Sequence, residues 1–270
     1  MVEDKITNVG TILGVDDLLV LFYSNDASIE DSDVEELYEF LLKNYPEKLE
    51  RLGLFLHSHG GDAGAAYKML QAIREYCNSL NAIIPSYAKS AATLIALGCD
   101  KIIMTPISEL GPVDPMVTHH IDRSLWVSAK AVLTAAFEVI PEMVERGKGV
   151  EVAILPLDPA HLGFCKQSLR DSETYCRLIL ESYQLKNNKS KIDEVASEFI
   201  ERYPSHDFPL MYSRLKELGL NVELLDNRDA LLKVWDLFSE LKNLVKSKEG
   251  ERTRILLIAS SKGIKFVDKG

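Results

Sequence analysis

The chain has 270 residues, 46% of them hydrophobic, enough for one large α/β domain with an appendage or for two small domains. Its formal net charge of −10 argues against a nucleic-acid binder, which needs a cationic surface to neutralise phosphates, and disfavours adhesion to anionic membranes. Four scattered cysteines with no C-x-x-C pair argue against a structural zinc site; Cys77, Cys99 and Cys176 fall in apolar helical patterns and read as buried thiols, with Cys165 the fourth.

Met1 to Lys5 carries acids and lacks an apolar signal core, and no apolar run is long enough to cross a bilayer. A cytoplasmic protein without an integral membrane anchor is therefore expected. Leu18 to Tyr23 is a short β-type apolar run suited to a strand buried on both faces. After Ser28 and an acidic turn, Val34, Leu37, Leu41 and Leu42 recur at helical spacing. Leu52–Leu56 predicts a strand, Ala63–Leu80 a helix, Ile83–Tyr87 a strand, Ala91–Gly98 a buried helix and Lys101–Met104 a strand. Such alternation implies right-handed crossovers and a largely parallel sheet, with the active site at the strand C-termini.

Beyond Pro115 the pattern weakens. An apolar helix is expected around Ser128–Phe137, followed by a Glu-, Gly- and Pro-rich stretch from Pro141 to Pro159. Further helices are predicted over Ser168–Gln184, Lys191–Tyr203, Pro209–Leu218 and Asn227–Lys246. Arg254–Ser260 and Ile264–Val267 read as a β-hairpin across Ser261-Lys262-Gly263.

The chemistry concentrates in Leu54–Gly64 (LFLHSHGGDAG) and Ile83–Asp100 (IIPSYAKSAATLIALGCD). Gly60-Gly61 ends the first strand with bare backbone, whose N–H groups can face a developing oxyanion. Ser90 opens the second helix, where unsatisfied N–H groups and the helix dipole favour negative charge. The bland alternative for Ser90 is an N-cap with no chemistry, since serine is among the favoured caps. No G-x-S-x-G elbow is present, and neither G-x-x-x-x-G-K-[ST] nor G-x-G-x-x-G occurs, so a built-in ATPase is excluded and no cofactor is expected. His57 and His59 flank the glycines at strand spacing and project on one face. His119 and His120 are adjacent, an arrangement that rarely serves one metal ion, and no metal site is expected.

Gly60-Gly61 after a strand, then Tyr87 to Thr93 (YAKSAAT), then Ser108 to Pro115 (SELGPVDP), resembles the Clp-protease/crotonase superfamily. Within it the chain is most similar to signal peptide peptidase A and the serine dehydrogenase proteinase family. His206-Asp207-Phe208-Pro209-Leu210 and Leu218 to Val222 (LGLNV) extend the resemblance, which covers about residues 15–225. It implies a repeated β-β-α spiral with a largely parallel sheet over residues 1–225, with a variable segment at 116–160. Residues 226–270 would form a helix and β-hairpin appendage.

The implied function is an ATP-independent serine peptidase. Ser90 would be the nucleophile, with oxyanion donors at the Gly60-Gly61 turn, chiefly the Gly61 amide, and at Ala91. The Clp branch takes its base from a histidine soon after the conserved helix and strand, where this chain has Leu110 to Asp114 and no histidine. The signal peptide peptidase branch uses a lysine, whose amine can act as base when burial lowers its pKa. Lys166 is the candidate by order along the chain and Lys130 the alternative; for each, the bland reading is a solvated lysine with its stem over apolar neighbours. Lys89 stands where a small residue is the norm, His59 is a possible site residue, and His206 fits a structural role in its turn or a place at the site. The expected partners are a peptide or protein substrate and further copies of the chain. Two other classes compete: an inactive assembly or binding module on the same fold, and an acyl-thioester enzyme of the crotonase type.

Overall fold

The computed structural model describes residues 1–119, 121–147, 158–248 and 254–269. Its spine is a seven-stranded sheet. Five strands are parallel: β1 (Asp17–Tyr23), β2 (Leu49–His57), β3 (Cys77–Ile84), β5 (Lys101–Met104) and β10 (Val222–Leu224). Each lies beside the one before it, in the order β10-β5-β3-β2-β1. Right-handed crossovers that always step in one direction place their helices on one face of the sheet. The antiparallel hairpin β11 (Ile255–Ser260) and β12 (Gly263–Asp268) extends the sheet beyond β1, with Val20 opposite Ala259.

Alternation along the strands divides the core into two. Leu19, Leu21, Leu52, Leu54, Leu56, Ala82, Ile84, Ile102 and Met104 face the helices α2 (Asp31–Asn44), α3 (Ala63–Glu75) and α4 (Ala91–Leu97) and the helix Pro159–Ser182. Leu18, Val20, Phe22, Phe55, Ile83 and Ile103 face the other way, onto α1 (Val2–Leu13) and the helix Arg228–Lys248. With both faces covered, the central strands become continuous apolar runs, which is why Asp17–Tyr23 is buried throughout. Each fully buried Leu or Ile contributes about 1.5–3 kcal/mol relative to exposure.

Several expected boundaries shift. The helix over Ala63–Leu80 stops at Glu75, and β3 starts at Cys77. Ile73, Cys77 and Leu80 continue a helical spacing, but the strand alternation there, with Asn78 exposed, is satisfied beside β2. The helix predicted from Ser168 begins at Pro159, capped by the Asp158 carboxylate, which accepts from Ala160 N–H at 2.9 Å. Pro209–Leu218 divides into β9 (Leu210–Met211) and the helix Tyr212–Glu217. The expected helix Ser128–Phe137 is α-helical over Ala129–Thr134 and widens to a π-turn over Ala135–Val139. Part of the Pro141–Pro159 stretch lies outside the described residues, whereas α1 was not anticipated at all. All four cysteines are free and buried. No helix among the described residues is long and apolar enough to cross a membrane.

Three short strands leave the main sheet to form a second one, and these position the site. β4 (Tyr87–Ala88) pairs in parallel with β6 (Glu109–Leu110), which pairs antiparallel with β9. A third pairing, β7 (Met116–Thr118) with β8 (Trp126–Ser128), makes a separate hairpin.

The segment entering α2 is pinned from the far end of the chain. The Lys269 ammonium, with its side chain only 2% exposed, bridges the buried Asp33 carboxylate and Glu30. Asp33 also accepts from Tyr23 OH at 3.0 Å and from Glu30 N–H at 3.0 Å. Replacing Lys269 by Met strands Asp33 without its cation, and is expected to lower the unfolding free energy by roughly 3–5 kcal/mol. A fall in the urea midpoint at unchanged m-value is the readout, and an unchanged midpoint would refute the pin.

Candidate active site

The ends of β2, β4 and β6 converge on one cleft of about 890 Å³. Ser90 lies in its wall two residues after β4, with φ 51° and ψ −120°, the one described non-glycine residue at positive φ. Such backbone strain costs on the order of 1–3 kcal/mol and persists only where the surroundings over-determine it. Here they do. Lys89 N–H donates to Ser58 O at 3.0 Å, and Ala92 N–H to Lys89 O at 2.9 Å. The buried Thr93 hydroxyl sits 2.8 Å from Ala88 O and 3.0 Å from Gly111 O while accepting from Gly111 N–H at 3.1 Å. Ser90 makes no side-chain capping bond, which sets aside the bland N-cap reading, and its hydroxyl has no partner among the described residues.

The glycine turn meets Ser90 with no space for a side chain. A Cβ on Gly60 would fall 2.6 Å from Lys89 O and 2.8 Å from Ser90 Cβ, and Gly60 has φ 106°. A Cβ on Gly61 (φ 151°) would fall 2.3 Å from Ile29 O. Ile29 grips the turn from the other side: its N–H donates to Gly60 O, and its carbonyl accepts from Asp62 N–H, both at 2.8 Å. Both bonds bypass the Gly61 amide, which like that of Ala91 has no acceptor among the described residues. Gly60 differs from the expectation. Its N–H donates to Ser58 Oγ at 3.0 Å in a buried contact and is already satisfied.

His206 lines the same cleft. Its Nδ1 lies 2.9 Å from Asp114 Oδ1, with the side chains 19% and 5% exposed, and Asp114 Oδ2 accepts from Ser128 Oγ at 2.9 Å. The small sheet explains this meeting. Ser90 follows β4, Asp114 follows β6 and His206 precedes β9, so pairing β4-β6-β9 draws three distant segments together. Val113 N–H, donating to Phe199 O at 2.9 Å, fixes the residue before Asp114. Asp114 lies within the Ser108–Pro115 motif, where the sequence alone assigns it no role, and its link to His206 spans 92 positions.

Neither candidate lysine is among the residues lining the Ser90 cleft; Lys130 and Lys166 line a second one of about 460 Å³ with Arg170, Glu173 and Glu201. Lys130 spends its ammonium on backbone carbonyls, those of Glu201 and Tyr203, the latter at 3.1 Å. Lys89 pairs with Glu109 at 2.8 Å. His59 lines the Ser90 cleft at its exposed wall, with its ring 4.3 Å from Tyr87, and partial desolvation followed by the nearby Lys89 charge lowers its pKa. His57 packs against the same Tyr87 at 4.0 Å with its ring tilted, as strand spacing implies. His119 Nδ1 accepts from the Ile121 and Asp122 amides at 3.3 and 3.2 Å, and His120 lies outside the described residues. No group of His, Cys, Asp and Glu suited to a metal ion occurs among the described residues.

One-sided crossovers on a largely parallel sheet, with strand pairs turning out into a small second sheet above the glycine turn, make this a Clp-protease/crotonase-type fold. More narrowly, residues 25–133 match the model of the ClpP-like SDH-type serine proteinases, and over that stretch the chain is similar to this family. The matched stretch holds Gly60, Gly61, Ser90 and Asp114, whereas His206 lies beyond it. Two uncharacterized proteins of Methanocaldococcus jannaschii are each 30% identical to the chain. One matches over 210 residues (78% of this chain, 62% of the relative) and the other over 196 residues (73% and 60%). The chain thus spans under two thirds of the length of these relatives. Among solved structures, the membrane-bound stomatin-specific protease 1510-N overlaps 77% of this chain and 79% of its own at 17% identity and TM-score 0.48. ClpP1 from Listeria monocytogenes overlaps 86% of this chain and 99% of its own at 14% identity and TM-score 0.48.

His57 gives the site's surroundings an acid sensitivity. Its Nδ1 is buried without a partner among the described residues, its ring packs on Phe22 and Phe238 at 4.6 and 5.0 Å, and burial pushes its pKa down from 6.5 to about 3. Between those values the unfolded chain takes up a proton that the native state refuses, so stability falls as pH drops through this window. The limiting slope is about 1.4 kcal/mol per pH unit. His57→Phe is expected to flatten that slope, seen as a smaller loss of Tm than wild type in melts taken between about pH 7 and pH 4.

Proposed function

We propose that the protein is a serine peptidase that uses Ser90 as nucleophile, His206 as general base and Asp114 to orient His206. The observation carrying this reading is the strained, unpartnered Ser90 in one cleft with the Asp114–His206 pair. Asp114 on Nδ1 fixes the histidine tautomer and leaves Nε2 to take the Ser90 proton as Oγ attacks a peptide carbonyl. The Gly61 and Ala91 amides, lacking other acceptors among the described residues, would hold the oxyanion. His206 then returns the proton to the leaving amine, and water, deprotonated by the same imidazole, releases the acyl group from Ser90. No step needs ATP or a cofactor. This assignment replaces the lysine base drawn from the resemblance, since Lys130 and Lys166 line a different cleft and Lys130 is engaged by two carbonyls.

The test is labelling by a fluorophosphonate probe together with cleavage of a peptide library. Ser90→Ala is expected to abolish both. His206→Ala and Asp114→Asn should each lower turnover by roughly 10³- to 10⁴-fold with the fold retained, while Lys166→Ala stays within about twofold of wild type. Full labelling of His206→Ala, or none in folded wild type with an open cleft, would overturn the reading.

A further inference from the structure

Lys89 and Lys130 take no part in the proposed reaction, yet both direct their ammonium groups at the segment that carries His206. This segment, from Glu201 to Pro209, has no helix or strand of its own. Its internal bonds are few: Phe208 N–H donates to Ser205 O and Asp207 N–H to Ser205 Oγ, each at 3.2 Å, and the Tyr203 and Phe208 rings stack at 4.2 Å. Placement of His206 therefore depends on what holds the segment from outside.

Upstream of His206, Lys130 donates to the carbonyls of Glu201 and Tyr203. Downstream, Lys89 donates to the carbonyl of Asp207 at 3.3 Å. The Lys89 side chain is only 11% exposed, and the Glu109 carboxylate 2.8 Å from Nζ both compensates and aims it. Its stem is confined by Gly111, where a Cβ would come 3.2 Å from Lys89 Cβ and Cγ. The residue thus ties three segments of the site together. Its N–H bonds Ser58 beside the glycine turn, its peptide leads into Ser90, and its Nζ holds the neighbour of His206.

We propose that Lys89 and Lys130 are positioning residues that clasp the His206 segment from its two ends and set the imidazole against Ser90. The proposal rests on the reading of His206 as the general base. A buried ammonium is strongly unfavourable unless paired, so a lysine directly before a proposed nucleophile calls for a use. Holding a base that sits on irregular backbone supplies one.

The experiment compares Lys89→Met, Lys89→Arg, Lys130→Met and His206→Ala in the full chain, measuring kcat, KM, probe-labelling rate and thermal melts. Lys89→Met and Lys130→Met are expected to lower kcat by about 10- to 100-fold with KM little changed, the scale of a misplaced catalytic group. Lys89→Arg should restore most of kcat, because the guanidinium can reach both Glu109 and the Asp207 carbonyl. Lys130 has no part in the Lys89–Glu109 pair, so it tests the clasp even where Lys89→Met fails to fold. Wild-type kcat in the folded methionine variants, with His206→Ala inactive, would overturn the clasp and leave the proposed base standing. Loss of activity in Lys130→Met with activity retained in His206→Ala would make Lys130 the base and overturn both.

Discussion

The meeting of Gly60 with the Lys89–Ala91 backbone is the contact on which the site depends. There is no space between them for one methyl group, and that closeness puts the glycine turn and Ser90 in the wall of one cleft. The same crowding holds Ser90 at φ 51°, which a serine adopts only under compulsion. The compelling forces are ordinary ones: a backbone bond from Lys89 to Ser58, the Thr93 hydroxyl shared between Ala88 and Gly111, and the apolar helix α4 driven into the core. Hydrophobic burial of α4 thus supplies the free energy that keeps one residue in an unfavourable conformation.

The two sheets divide the labour. The seven-stranded sheet is apolar on both faces and provides stability; the three-stranded one buries little but determines which segments meet. Its pairing β4-β6-β9 carries Ser90, Asp114 and His206 on successive strand ends, so a few backbone bonds set the geometry among three side chains far apart in sequence. Positioning a proposed base on irregular backbone leaves it dependent on side-chain contacts, and the polar groups clustered around Glu201–Pro209 are the physical answer to that dependence.

The sequence made the main sheet readable because strands buried on both faces appear as plain apolar runs, as in Leu18–Tyr23 and Lys101–Met104. It was ambiguous where two periods coincide: Ile73, Cys77 and Leu80 fit a helix, yet Cys77 and Leu80 belong to a strand. Ser90 and Gly61 were legible as candidates because a glycine pair and a helix-opening serine are local signals. His206 was legible only as a possible site residue, through its motif, and Asp114 had no role; their pairing is made by the small sheet, and strands of two residues leave almost no pattern to read. Gly60 misled for a related reason. Nothing in a run of Ser-His-Gly-Gly tells which amide the preceding serine will occupy, and here it takes that of Gly60.

The pairing of β1 with β11 has a consequence for how the chain matures. β1 is buried along its whole length, yet one of its two neighbours, β11, follows every strand of the parallel set in the chain. Until Ile255–Ser260 arrives, β1 is an apolar edge open to any passing strand, which is the usual route to misassembly. The Ser28–Asp33 stretch that grips Gly60 and Gly61 likewise waits for Lys269 to neutralise Asp33. A growing chain would hold Ser90, Asp114 and His206 without the pin on its glycine turn. In the order of synthesis, the β11–β12 hairpin, made after Ser90, Asp114 and His206, therefore acts as the seal that licenses the cleft.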